Sequence, residues 1–232
     1  MIVGIMVHMC GRYVLFADEP TMTATLEQYL GPHTSVEYPY SMPGARYNIA
    51  PTTIVPVVQA GGEDRAVVHP ARWGLLPHWK KDMEGPPLFN ARAETVAEKP
   101  SFRSAFSARP ALIPLDGYYE WKDKQPWFVR RIDGVPLLAA GLWDTGADTT
   151  SATMITTVST GDLEWLHHRM PRFLAPDEAR AWLYGSAADR AALLEPMGSA
   201  LIDAMTWGRA DQRVGSVAND DADLLPQECV DR

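Results

Sequence analysis

Between residues 53 and 159 apolar, β-branched and aromatic stretches recur, separated by turn-forming residues. Six of them read as strands: "TIVPVVQ", "AVVHPARWGLL", "PALIPLDGYYEWK", "PWFVRRI", "PLLAAGLWD" and "SATMITTVS". Outside this region the period changes. "PTMTATLEQYL" predicts a short amphipathic helix with a Thr start signal and Gly31 as its stop. "APDEARAWLYG" predicts another, with Pro176 early, acids in the first turn and Gly185 at the end. "AADRAALLEPM" predicts a third, and "GPHTSVEYPYSMPG" reads as a loop on its Pro, Gly and Ser content. Strands thus fill the middle and helices the flanks. That order predicts an α+β fold: one domain with a curved, mainly antiparallel, barrel-like sheet flanked by a few helices. The long polar stretch "HWKKDMEGPPLFNARAE" interrupts the strands, as functional or mobile loops do.

Composition narrows the class. The chain has 232 residues, enough for one large domain with a sizeable core. A net charge of −8 argues against a generally sticky nucleic-acid binder, though not against a local basic groove. Only two cysteines, Cys10 and Cys229, are present, so a disulfide framework is excluded and a reducing, cytoplasmic setting is expected. Cys and His are too sparse for a structural zinc site, and no metal or cofactor is expected. The opening "MIVGIMV" lacks a basic leader and a small-residue cleavage site, and no run approaches a membrane span.

Four short stretches carry chemistry. "MCGRY" places Cys10 directly after Met9; were Met9 the initiator and then trimmed, Cys10 would hold a thiol and a free α-amine together. Residues 1–8 are therefore expected to be a misplaced or removed leader, with the functional domain spanning 9–232. An extra N-terminal strand and a cleaved propeptide are the alternatives. "FNARAET" sets Asn90 and Arg92 two apart, facing the same way from an extended segment. "GYYEWK" puts Glu120 among Tyr118, Tyr119 and Trp121, and "LHHRMP" supplies His167, His168 and Arg169. Each has a plainer reading: an inert buried thiol, a solvated glutamate, a structural histidine, a turn asparagine, surface arginines. Trp73 and Trp79 in "RWGLLPHW" suit either base stacking or core packing.

Taken together, "MCGRY", "RYNIAPT", "RWGLLPHW", "NARAET", "PLDGYYEWK", "LHHRMP" and "VGSVANDDADLL" resemble, in this order, the SRAP (SOS-response-associated peptidase) proteins, which sense abasic sites in DNA. The resemblance runs from about Met9 to about Leu225. It implies that Cys10, exposed by methionine removal, bonds to the ring-opened sugar. It also implies that Asn90, Glu120 and His167 complete the catalytic set and that Arg12 and Arg92 hold DNA phosphates. Arg169, Trp73 and Trp79 are the further candidates for DNA contact. The expected partner is single-stranded DNA containing abasic sites, bound by a monomer that joins the nucleoid when engaged. Lyase and self-processing peptidase activities fit the same family. Two departures stand out: the extension 1–8, and "VGSVAND" where the family more often carries an asparagine and a basic residue. An N-terminal-nucleophile amidohydrolase, which also begins Met-Cys-Gly, and a non-catalytic DNA-binding module are the rival readings.

Overall fold

The computed structural model describes residues 11–230. Cys10 and the leader question lie outside that range. The first half contains β1 (Arg12–Leu15), α1 (Glu19–Leu30), β2 (Ser35–Glu37), β3 (Arg46–Ile49), β4 (Ile54–Gly62), β5 (Arg65–Trp73), β6 (Asn90–Arg92), α2 (Arg103–Ala108) and β7 (Pro110–Leu115). Then come β8 (Gly117–Lys122), β9 (Gln125–Arg131), β10 (Leu137–Gly146), β11 (Thr149–Val158), β12 (Arg169–Pro171), α3 (Pro176–Tyr184), α4 (Ala187–Ala192), α5 (Ser199–Asp203) and β13 (Met205–Arg209).

The fold is α+β, with five strands closing into a barrel. They run β11-β10-β7-β4-β5, and a parallel pairing of β5 with β11, Ser151 opposite Arg72, joins the ends. Closure removes the open edges that an isolated sheet would expose. A second, antiparallel sheet, β13-β9-β8-β1-β3, lies beside the barrel. Its inward side chains, among them Tyr13, Tyr118 and Val129, join the main core with the barrel interior and the apolar sides of α1 and α3. Its outward side has its own smaller core of Val14, Tyr119, Phe128, Val214 and Leu224.

Local chemistry explains the differences from the expected elements. The stretch 110–122 forms two strands, because Asp116 interrupts it. The Asp116 carboxylate accepts the Phe16 and Ala17 N–H groups at 2.6 and 2.9 Å, and the chain crosses there from barrel to second sheet. Gly117 follows because a Cβ there would meet the Phe128 ring at 2.3 Å. Helix α1 starts at Asp18, whose side chain accepts from Thr21 N at 3.0 Å; Thr21 lies inside the first turn. The expected loop 31–44 contains β2, recruited by parallel pairing with β5. The helix expected over 187–197 ends at Ala192. The β8–β9 and β10–β11 hairpins turn on Asp123-Lys124 and Ala147-Asp148, all with positive φ, the backbone of tight two-residue turns.

Candidate functional site

Strand β11 organises the site. Along one edge it carries β6 in parallel register, Thr156 beside Arg92; along the other it carries β12 antiparallel, Val158 beside Arg169. Period-two geometry buries Ala91 in the barrel and turns Asn90 and Arg92 the other way. The histidines precede β12, and their rings lie against each other at 4.2 Å. Arg169 N–H donates to His167 Nδ1 at 3.0 Å. The same nitrogen also lies 3.2 Å from Arg169 O, so Nδ1 is tied to the Arg169 backbone in either tautomer and Nε2 is the ring nitrogen without a partner in that backbone contact.

Glu120 comes from β8 in the second sheet. It is fully buried, and its Oε1 accepts from Trp121 N at 3.1 Å. The electrostatics of His168 bring the three elements together. Its pKa is pushed below the usual value, first by desolvation, then by the charges of His167, Arg169 and Arg92, with Glu120 opposing. Arg92 on β6, Glu120 on β8, His167 just before β12 and Arg169 at its start thus all lie within electrostatic reach of His168, and Asn90 stands two residues before Arg92 on β6. Among the described residues no group of three or more His, Cys, Asp or Glu is arranged to hold a metal ion.

Two candidates have other roles. Trp73 is fully buried, with its ring against Tyr13 at 5.0 Å and Phe89 at 5.7 Å, and its Nε1 donates to Phe89 O at 3.0 Å. No ring face remains for a base. It supports the residue just before Asn90 instead. Arg169 is also buried, paired with Glu94 and bonded to Thr156 O and, at 3.2 Å, Thr156 Oγ1. That ion pair holds the Glu94 carboxyl below its usual range and ties β12 to the segment after β6, while the bonds to Thr156 fix β12 against β11. Arg169 thus positions the histidines where a phosphate contact was expected. Trp79, by contrast, is 53% exposed, on a loop anchored by His78 N–H donating to Asp144 at 3.0 Å.

Arg12 sits on β1, opposite Tyr119. Its Nη1 donates to Asn48 Oδ1 at 3.0 Å and to Val214 O, and burial lowers its pKa. Asn48 and Asp220 were not singled out from sequence, although both lie in quoted motifs. The buried Asn48 amide donates to Val214, Ser216 and Asn219 carbonyls at 3.2, 2.9 and 2.8 Å. Asp220 accepts from Tyr47 N and Asn48 N at 2.5 and 2.8 Å and pairs with Arg46. The departure "VGSVAND" is thus a strap closed over β3 and Arg12. Asn48→Ala is expected to leave carbonyls and the Arg12 head unpaired. Stability should fall by about 2 kcal/mol or more. A lower denaturant midpoint together with faster amide exchange at residues 214–220 would verify it.

The family model for SOS response associated peptidase (SRAP) matches residues 9–217. The chain belongs to the SRAP family. Relatives along nearly the whole SRAP chain include abasic site processing protein YedK of Escherichia coli, 30% identical over 94% of this chain and 99% of that one. YoqW of Bacillus subtilis, also named an abasic site processing protein, is 33% identical over the same shares. A solved structure from Bacteroides thetaiotaomicron has the same fold, with a TM-score of 0.76 at 22% identity, covering 93% of this chain and 98% of that one. Among the described residues no helix is long and apolar enough to cross a membrane.

Proposed function

We propose that this SRAP protein captures abasic sites in single-stranded DNA by a covalent bond to Cys10 once the preceding residues are gone. The observation that carries the reading is that Glu120 stands on β8, paired with β1, the strand that Cys10 leads into, while β6 with Asn90 and Arg92 and β12 with His167 just before it flank the same end of β11, and Arg92, His167 and Glu120 all act on His168. Arg12 pairs across from Tyr119, the neighbour of Glu120, and only Gly11 separates Arg12 from Cys10. Membership of a family whose relatives are named for abasic-site processing supports the same substrate.

The chemistry follows from the groups. The neutral α-amine of Cys10 attacks the aldehyde of the ring-opened sugar, and loss of water gives an imine. The thiol adds to the imine carbon, its proton passes to nitrogen, and a five-membered thiazolidine results. An α-amine has an ordinary pKa of about 7.7–8.0, so a useful fraction is neutral near pH 7, whereas lysine at about 10.4 is almost all charged. Holding thiol and imine on one residue makes the second addition intramolecular. Glu120 passes the proton needed for dehydration. His167, through Nε2, assists sugar ring opening. Asn90 orients the amine, and Arg92 and Arg12 hold flanking phosphates. The imine also permits β-elimination of the 3′ phosphate, which accounts for a weak lyase activity, and hydrolysis at the same centre would process the protein's own leader or crosslink.

The test uses single-stranded DNA with one uracil, with or without uracil-glycosylase treatment. A denaturation-resistant band with the treated strand alone is expected, and it survives a high-salt wash. Binding that is wholly reversible and lost in salt would favour a non-catalytic DNA-binding module. Ammonia released from glutamine, with no band, would favour the amidohydrolase.

A further inference from the structure

We infer that Trp127, Trp165 and Arg209 form a shelf beside Glu120 that stacks the unpaired base next to the lesion. This rests on the reading above and extends it to the flanking nucleotide. The register of the second sheet places Glu120 opposite Trp127, and Trp127 opposite Arg209. Directly paired residues share a sheet face, and adjacent strands lie about 4.8 Å apart. The row Glu120–Trp127–Arg209 therefore runs sideways from the carboxylate for about 10 Å on one face.

The shelf combines aromatic surface with charge. Trp165 lies edge-on to Trp127 at 4.9 Å and 6.1 Å from Trp207, and the Arg209 guanidinium lies over the Trp127 ring at 5.4 Å. Trp165 is 38% exposed and stands two residues before His167, so it is joined to the site along the chain as well as across the sheet. Tryptophan in the core needs no arginine over it and no solvent-facing side. An aromatic face beside a cation suits a nucleotide: the base stacks, and its phosphate meets the guanidinium. The acids Asp162 and Glu164 are exposed on Trp165's own segment, so the phosphate belongs on the Arg209 side.

The experiment uses labelled single-stranded oligonucleotides with a central tetrahydrofuran, which cannot crosslink. The nucleotide on either side carries its base or lacks it. Fluorescence anisotropy gives affinity, and a parallel set with a true abasic site gives covalent yield. Wild type is expected to bind about tenfold tighter when the base on one particular side is present. Trp165→Ala should bring that difference within about twofold, and Trp165→Phe should keep most of it. Arg209→Ala should weaken binding whatever the flank and reduce the salt slope by about one. Equal affinity of wild type for all flanks, or a preference unchanged in Trp165→Ala, overturns the shelf. Flank preference without any covalent band overturns the capture chemistry but leaves the shelf standing; a covalent band without flank preference does the reverse.

Discussion

Replacing Cys10 by Ala is expected to abolish the denaturation-resistant complex with abasic single-stranded DNA. Reversible binding to the same strand should change by less than about threefold, because in the proposed reading cationic side chains and not Cys10 meet the phosphates. The loss is complete because no other residue is proposed to offer a thiol and an unacylated amine on neighbouring carbons. Borohydride separates the two contributions: Cys10→Ala and Cys10→Ser both keep the α-amine, so reduction should trap an imine in either variant, while the stable unreduced adduct is lost. A protein beginning at Met1 and left uncut should form neither the stable adduct nor a borohydride-trapped imine at residue 10, because its Cys10 nitrogen is an amide. Intact-mass measurement on the active preparation decides this point. Full crosslinking by a chain whose mass includes residues 1–9 would overturn the mechanism.

Glu120→Gln is expected to slow adduct formation by about a hundredfold, the usual scale for removing a positioned general acid–base. Glutamine has nearly the same shape and can still accept from Trp121 N, so the buried strand has little reason to move. Affinity for a tetrahydrofuran strand should stay within about twofold, because the carboxylate makes no phosphate contact in this scheme. A rate measured by quenching into denaturant, beside an anisotropy titration, separates the two effects. If binding collapsed while the bound complex still reacted at the normal rate, Glu120 would be a DNA-positioning group and the proton would travel by another route. His167 would then be the first residue to examine, since its Nδ1 is tied to the Arg169 backbone and its Nε2 is the ring nitrogen left for a substrate.

The two tryptophans of "RWGLLPHW" mark where sequence reasoning separates from structure. Nothing in the motif distinguishes Trp73, in the barrel core, from Trp79, more than half exposed on a loop. Period two along β5 would turn Trp73 inward only if the position of the barrel axis were known. Arg169 misled for a similar reason. An arginine between a histidine and a proline reads as a surface cation, and its burial depends on Glu94, seventy-five residues away in sequence. The shelf partners Trp127 and Arg209 are likewise invisible as neighbours of Glu120 until strand register is known.

The chain's own order of residues determined the fold class, the position of most strands, the two main helices and the family. All of these rest on local signals: alternation, turn formers, caps and contiguous motifs. Tertiary structure alone decided that "PALIPLDGYYEWK" splits between two sheets at Asp116, that the barrel closes by pairing β5 with β11, and that Arg92, Glu120 and His167 come within electrostatic reach of His168. The physical reason is that a site assembled across strands depends on register and sheet closure. Both are set by packing between segments far apart in sequence, and no local pattern encodes them.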